Sequence, residues 1–195
     1  MNFIKKILFF VSILGTLAFT AVITGSTSVL ITPSSKLLIK GKTNVNSFKC
    51  EFDILKLKNP IPVVFQKIGD KMVFDNTVLV LENDCFDCGG KGINNDFQEL
   101  LKSDVYPQTQ IKLKEICRDT KDDNSILAFL DISIAGVTKS CTTPVKFEDG
   151  DSLFVKGVLN LNICDFNLEP PKKALGLIVV KDIIEINFHL VVKEY

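Results

Sequence analysis

The sequence predicts an all-β protein: a lipocalin-like antiparallel β-barrel of about eight strands with one short helix. Apolar and polar residues alternate strictly along 183–193, and the same alternation recurs in 48–54, 111–114 and 126–134. Only one segment has helical periodicity, so helices cannot cover the apolar faces of these strands. The faces must therefore bury against one another, either in a closed barrel or in a sandwich.

Strands are expected where the alternation is bounded by turn residues. The predicted strands span 29–39, 45–57, 72–82, 108–116, 125–135, 140–147, 152–162 and 183–192. The run Ile61–Phe65 is a weaker strand prediction, because it lies between Pro60 and a turn at 69–71. No long linker or internal repeat interrupts the series, which indicates a single domain.

One helix is predicted over residues 95–102. Asn95, with Gln98 three residues later, forms a capping pair at its start. The apolar residues of this segment form a single stripe, which consists of Ile93, Phe97, Leu100 and Leu101. We expect the helix to use this stripe to cover one side of the sheet.

The first residues have the layout of a secretory signal peptide. Two lysines at positions 5 and 6 precede an apolar run to about Ile23, and a small polar stretch follows. An uncleaved anchor is the alternative, since the run approaches the roughly 17-residue minimum for a membrane span, but its Ser and Thr residues favour cleavage. The predicted domains are a signal peptide at 1–25 and a barrel at 28–195. The expected location is the periplasm or the extracellular space.

Charge balance argues against polyanionic partners. The chain has 23 Lys plus Arg residues against 23 Asp plus Glu residues. It therefore lacks the basic excess that nucleic acid binding requires and the acidic excess typical of a metal buffer. Nucleic acid is not an expected partner.

Alternation alone fits two kinds of barrel, in which the apolar face has opposite meanings. In an outer-membrane barrel this face contacts lipid, and aromatic girdles mark both interfaces. This chain has no Trp and only two Tyr, and Tyr195 falls on the polar side of the last strand. These features favour a water-soluble barrel with an apolar interior.

Four sequence blocks go beyond periodicity. They are Gly41–Phe48 (GKTNVNSF), Phe97–Pro107 (FQELLKSDVYP), Ile134–Lys139 (IAGVTK) and Asp165–Pro171 (DFNLEPP), the last followed by Ala174–Gly176 (ALG). In order and spacing these blocks resemble the YceI family of lipocalin-like, polyisoprenoid-binding proteins, especially its short exported members from Gram-negative bacteria. The resemblance covers about 30–192. Asn167 stands where the family often has Gly, and Asn also tolerates a left-handed backbone.

The resemblance implies a long apolar cavity that takes up an isoprenoid chain, such as a quinone tail or a polyprenyl lipid. It implies no catalytic set, and the sequence suggests no cofactor and no metal site. Six in-facing residues are the candidate cavity wall: Phe48, Phe52, Ile111, Leu113, Ile186 and Phe188. Alternation does not distinguish the wall of a cavity from a core filled by side chains.

The motif Cys85-Phe86-Asp87-Cys88 is judged separately, because it is not part of that resemblance. A thioredoxin-type site needs its first thiol at a helix N-terminus, but a Gly-rich stretch follows Cys88. A zinc site needs a second pair of ligands, and the other cysteines are scattered. A disulfide, including a Cys85–Cys88 bridge, and inert thiols both stay open. Cys50 lies on the apolar side of its strand and is expected to be a small core residue.

The predicted function is that of an exported, non-enzymatic carrier that sequesters an isoprenoid-type lipid. Two alternatives stay open: a secreted structural or interaction module with a filled barrel, and a thiol redox protein that uses Cys85 and Cys88. Transient membrane contact, through a basic rim at Lys172 and Lys173, and a homodimer also stay open. His189 lies on the polar side of the last strand and is expected at the surface.

Overall fold

The structure, a computed structural model, describes residues 22–122, 124–148, 150, 152–173 and 177–195. Residues 1–21 of the predicted signal peptide and the block Ala174–Gly176 lie outside the described residues. The strands are β1 (Ile23–Ile31), β2 (Lys36–Lys42), β3 (Ser47–Phe52), β4 (Ile61–Ile68), β5 (Lys71–Asp75), β6 (Val78–Glu82), β7 (Phe86–Asp87), β8 (Gln108–Arg118), β9 (Ser125–Ile134), β10 (Val137–Glu148), β11 (Leu153–Asn162), β12 (Lys172–Lys173), β13 (Ile178–Val179) and β14 (Ile183–Glu194). The α-helix is α1 (Lys91–Leu100), and short 3₁₀ turns occupy Ile54–Lys56, Asn83–Cys85 and Ile163–Phe166.

The described strands form an antiparallel barrel. Neighbours are hydrogen-bonded in the order β1, β4, β5, β8, β9, β10, β11 and β14, and the pairing of β14 with β1 closes the ring. Residues predicted to face inward are buried, for example Ile132 at 1% exposure and Ile186 at 7%. The predicted all-β barrel with an apolar interior is thereby confirmed.

Two strands of the ring pair with two partners in succession along one edge. On β14, residues 185–189 pair with β2 and residues 192–194 with β1. On β8, residues 108–112 pair with β6 and residues 115–117 with β5. One end of the barrel is therefore walled by β1, β4 and β5. The other end, which we call the helix end, is walled by β2, β3, β6 and β7 and carries α1.

Several predicted strands have different limits in the structure. The predicted strand 29–39 is two strands, β1 and β2, because the chain turns at 32–35. Both strands pair with β14, β1 with its residues 192–194 and β2 with its residues 185–189. The turn between them is fixed to β14 by a hydrogen bond from the Val191 backbone N–H to Ser35 Oγ at 2.8 Å. The predicted strand 72–82 is also two strands, separated at Asn76, whose φ is 55°. The weakly predicted run Ile61–Phe65 belongs to β4, which pairs with β1 on one edge and β5 on the other.

The helix begins earlier than predicted. It starts at Lys91, directly after Gly90, and has no side-chain cap, so the expected Asn95 cap is wrong. Asn94 instead fixes the preceding turn, because its Oδ1 accepts from the Cys88 backbone N–H at 2.7 Å and its amide donates to Asp87. The apolar stripe is placed as expected, with Phe97, Leu100 and Leu101 facing the barrel interior. Among the described residues, no helix is long and apolar enough to cross a membrane.

Candidate functional site

A largely enclosed cavity of about 60 Å³ lies inside the helix end of the barrel. Its wall presents only apolar atoms. The wall is formed by side chains from β2, β3, β6, β7, β8, β9, β14, α1 and the loops that follow α1 and β11 and precede β14. The lining residues are Leu37, Ile39, Phe48, Leu81, Phe86, Phe97, Leu100, Leu101, Thr109, Ile111, Ile132, Ile134, Ile163, Leu168, Val180, Ile184 and Ile186.

Three of the six predicted wall residues, Phe48, Ile111 and Ile186, line this cavity. The other three face inward at other levels of the barrel. Phe52 packs edge-on against the ring of Phe86, with centroids 5.1 Å apart, in the core beside the cavity. Phe188 covers the backbone of Gly157 on β11, and Leu113 is half-buried nearer the opposite end.

A buried asparagine that sequence reasoning missed fixes one side of the cavity. Asn83 is 1% exposed. Its amide donates to the carbonyl of Tyr106 at 2.8 Å and to Ser103 Oγ at 3.2 Å, and its Oδ1 accepts from Thr109 Oγ1 at 3.0 Å. These bonds tie the loop after α1 to the wall and satisfy the hydroxyl of Thr109, a residue that lines the cavity. Because the hydrogen bonds of the Asn83 side chain join residues that are distant in sequence, no local sequence pattern indicates them.

The structure contains a long-range disulfide and not the possible Cys85–Cys88 bridge. Cys88 is bonded to Cys50, at a sequence separation of 38, and Cys85 is a free thiol. The reason is geometric: the Phe52–Phe86 and Glu51–Asp87 pairs between β3 and β7 bring Cys88 beside Cys50. Cys50 is fully buried, as expected, but it is also cross-linked. Burial, and then the hydrogen bond to Asp84, raise the pKa of the Cys85 thiol to about 11, which disfavours the nucleophilic thiolate.

A second concavity, which we call the basic groove, lies outside this end of the barrel. It has a volume of about 1220 Å³ and is lined by β2, β3, β11, the start of β14 and the segment 179–182. Asn44 holds that segment in place, because its amide donates to the carbonyl of Leu177 at 2.8 Å and its Oδ1 accepts from the backbone N–H of Val179 at 3.0 Å. The lining residues are Lys40, Gly41, Lys42, Asn44, Ser47, Phe48, Lys49, Asn160, Val179, Val180, Lys181, Asp182, Ile183 and Glu185.

Phe48 and Val180 line both the cavity and the basic groove. Phe48 lies across the sheet from Gly41, and its ring occupies the space beside the glycine. A Cβ atom on residue 41 would lie 2.2 Å from Cζ of this ring, so the ring position depends on glycine there. The side chains of Phe48 and Val180 therefore lie between the apolar interior and the charged exterior.

The charges of the basic groove are only partly compensated. Lys40 Nζ lies 3.0 Å from Glu185 Oε1, and hydrogen bonds from Asn187 and then Lys40 hold the pKa of Glu185 below its usual range. No described carboxylate oxygen lies within 4.0 Å of the amines of Lys42, Lys49 or Lys181. The groove thus contains three lysines without an ion-pair partner among the described residues.

The remaining sequence candidates lie elsewhere. The ring of His189 is half-buried, 6.1 Å from that of Phe154, and its Nε2 has no hydrogen-bond partner among the described residues, so the expected surface position is wrong in part. Asn167 has φ 55° and ψ 36°, which is the left-handed conformation expected for it. The side chains of Lys172 and Lys173 lie outside the described residues. No described cluster of three or more Asp, Glu, His or Cys side chains is arranged to hold a metal ion.

Comparison with known families identifies the fold. Residues 78–192 match the model of the YceI-like domain. This segment contains the cavity-lining parts of β6, α1, β8, β9 and β14. Comparison with curated protein sequences gave no match.

Solved structures with the same fold come from several bacteria. BcnA of Burkholderia cenocepacia is 21% identical, with a TM-score of 0.62, over 83% of this chain and 99% of that one. A domain from Saccharophagus degradans, described as polyisoprenoid-binding and implicated in plant cell wall breakdown, is 13% identical, with a TM-score of 0.58, over 86% and 98%. The YCEI protein of Campylobacter jejuni is 12% identical, with a TM-score of 0.51, over 92% and 87%. At these identities the likeness concerns the fold.

Proposed function

Since the chain belongs to the YceI-like family, we propose that it is an exported, non-catalytic carrier that binds an isoprenoid-type amphiphilic lipid inside the barrel. The observation that carries this proposal is the largely enclosed, wholly apolar cavity at the helix end. An apolar chain that leaves water for such a site gains about 25 cal/mol for each Å² buried, less the cost of ordering the chain. Phe48, Ile111 and Ile186 contact the guest directly.

Binding requires the cavity to enlarge. Its volume of about 60 Å³ is below the roughly 300–1,000 Å³ of typical ligand pockets. The element best suited to move is α1, because none of its 10 residues is fully buried although Phe97 and Leu100 close the cavity. Half-buried elements open at a lower free-energy cost than fully buried ones. The guest thus displaces α1 and the Phe48 side chain.

The same small volume favours a second candidate function. If the interior stays closed, the protein is a secreted structural or interaction module whose barrel is filled by its own side chains. The disulfide between Cys50 and Cys88 supports export in both cases, because such bonds persist in oxidising compartments such as the periplasm. The thiol redox alternative loses its pair of vicinal thiols, because Cys88 is already bonded to Cys50.

Extraction of the bound lipid tests the carrier function. Protein purified without detergent is extracted with organic solvent, and the extract is analysed by mass spectrometry. We expect an isoprenoid chain in about equimolar amount. In parallel, delipidated protein is titrated with a fluorescent farnesol analogue, and its emission is followed. A clean extract together with no uptake of the analogue would contradict the carrier function and leave the structural module.

A further inference from the structure

The basic groove adjoins an exposed apolar surface at the helix end. Val45, in the turn between β2 and β3, is 68% exposed, and Leu177 is 74% exposed. The two residues lie on neighbouring segments, because Asn44, which precedes Val45, donates from its amide to the carbonyl of Leu177 at 2.8 Å. The turn is closed by a hydrogen bond from the Thr43 backbone N–H to the carbonyl of Asn46 at 2.7 Å. Two exposed aliphatic residues are therefore held on adjacent, hydrogen-bonded stretches of backbone.

The two segments that carry these residues contain lysines and no acidic residue. Each of the runs 40–49 (KGKTNVNSFK) and 172–181 (KKALGLIVVK) has three lysines and no Asp or Glu. Backbone hydrogen bonds join the two runs. The start of β14 and the residue before it add only Asp182 and Glu185, so six lysines stand against two carboxylates. This excess of positive charge is local, because the whole chain has a formal net charge of +0.

Three of these lysines are available to an external anion. Lys40 is compensated by Glu185, at 3.0 Å. Lys42, Lys49 and Lys181 are exposed, and no carboxylate of the described residues lies within 4.0 Å of their amines. Aliphatic side chains among unpaired lysines match the interfacial layer of an anionic bilayer, where apolar groups leave water and amines reach the lipid phosphates.

Other occupants match this surface less well. A second copy of the chain would bring like charges together, and two aliphatic side chains bury far less than the roughly 1,200–2,000 Å² of a stable protein interface. A nucleic acid or an acidic protein would use the lysines but leave Val45 and Leu177 in water. A bilayer with anionic lipids uses both features at once.

We propose that the helix end docks on the surface of an anionic lipid bilayer. Val45 and Leu177 enter the interfacial layer, while Lys42, Lys49 and Lys181 contact the lipid phosphates. Each lysine near such a surface strengthens binding about fivefold, and salt screens this gain. Docking of this kind requires no guest in the barrel, so it is independent of the proposed carrier function.

The test measures binding of the protein to vesicles by centrifugation. One set of vesicles contains phosphatidylcholine alone, and the other contains phosphatidylcholine and phosphatidylglycerol in equal parts. The parent is expected to bind the anionic vesicles at least about tenfold more tightly at low salt, and high salt should largely remove this preference. The apolar run at the N-terminus, where it is retained, would bind both kinds of vesicle, so the ratio of the two affinities is the readout.

Two triple variants test the role of charge. The groove variant should lose the preference for anionic vesicles; it carries Lys42→Gln, Lys49→Gln and Lys181→Gln. The matched control removes three exposed lysines at the opposite end of the barrel and should keep the preference; it carries Lys67→Gln, Lys121→Gln and Lys193→Gln.

Two double variants test the apolar contact. Val45→Ser, Leu177→Ser should weaken binding to the anionic vesicles at least about tenfold, because two aliphatic side chains no longer leave water. The matched control, Val64→Ser, Ile68→Ser, removes two aliphatic residues that are 40% and 42% exposed at the opposite end, and it should bind like the parent.

Several results would overturn the proposal. They are equal binding of the parent to both kinds of vesicle, unchanged binding in the groove triple variant or in the Val45, Leu177 variant, and an equal loss in the matched controls. Sedimentation of the parent without vesicles tests the second copy: a dimer that Val45→Ser, Leu177→Ser dissociates would assign this surface to self-association and also overturn docking. Thermal unfolding of all four variants checks that they are folded.

Discussion

Removal of the Cys50–Cys88 disulfide is expected to destabilise the protein by about 4 kcal/mol. The bond closes a loop with a sequence separation of 38, and the chain-entropy relation gives about 4 kcal/mol for such a loop at 25 °C. Replacement of both residues by Ala avoids a new buried hydroxyl, which matters because Cys50 is 0% and Cys88 8% exposed. At about 2–4 °C per kcal/mol for a chain of this size, the melting temperature should fall by about 8–16 °C.

The assay is thermal unfolding followed by circular dichroism, with and without a reducing agent. Reductant should lower the melting temperature of the parent to that of the Cys50→Ala, Cys88→Ala variant, and it should not affect the variant. Cys164→Ala, which removes an exposed free thiol, is the matched control and should unfold like the parent. A double variant that unfolds at the same temperature as the oxidised parent would refute the reasoning.

Three further predictions concern single residues. Ile111→Trp fills the cavity of about 60 Å³ and should abolish uptake of the farnesol analogue, whereas Gln110→Trp on the exposed side of β8 should not. If Ile111→Trp instead lowers the free energy of urea unfolding by about 1–3 kcal/mol relative to the parent, and the parent binds no analogue, the interior is filled. Asn167→Gly should be nearly neutral and Asn167→Val should cost about 1–2 kcal/mol in urea unfolding, because φ is 55°; equal stabilities would contradict this. In a variant that keeps Cys85 as its one free thiol, iodoacetamide labelling of the folded protein should rise with pH up to about 11, the pKa of this thiol. The free energy of unfolding should fall as pH rises above about 8.5, because the thiol then loses its proton in the unfolded chain but keeps it in the folded one. Half-maximal labelling near pH 8.5 would contradict the raised pKa.

Periodicity predicted the strands well where one face is buried throughout, as in β9 and β14. It could not reveal the turn at 32–35, because Ile31 before the turn and Leu37 after it have the same parity and both face the interior. The break at Asn76 did leave a signal: Phe74 faces inward at an even position and Leu81 at an odd one. A change of parity across an Asp-Asn pair predicts a turn.

The candidate site was only partly predictable. The parity of a residue number indicates which face of its strand the side chain occupies, but not how far along the barrel axis the residue lies. Ile111 and Leu113 have the same parity, yet only Ile111 lines the cavity. The basic groove was missed for a different reason. It forms where the segment 179–182 runs antiparallel to the end of β2 and is held by Asn44. This contact joins residues about 135 positions apart in sequence.

Strands β9 and β14 are hydrogen-bonded along both edges, whereas β7 pairs with β3 through only two residues. Amide hydrogen exchange should therefore differ sharply between the middle of the barrel and the helix end. Amides of β9 and β14 exchange through opening of the whole ring, while those of β7 and α1 exchange through a local opening of lower free energy. A guest that binds only the closed barrel must leave before either opening occurs, so it slows the exchange of both classes. The amides of β7 exchange fastest in the empty barrel, so they report the loaded one first.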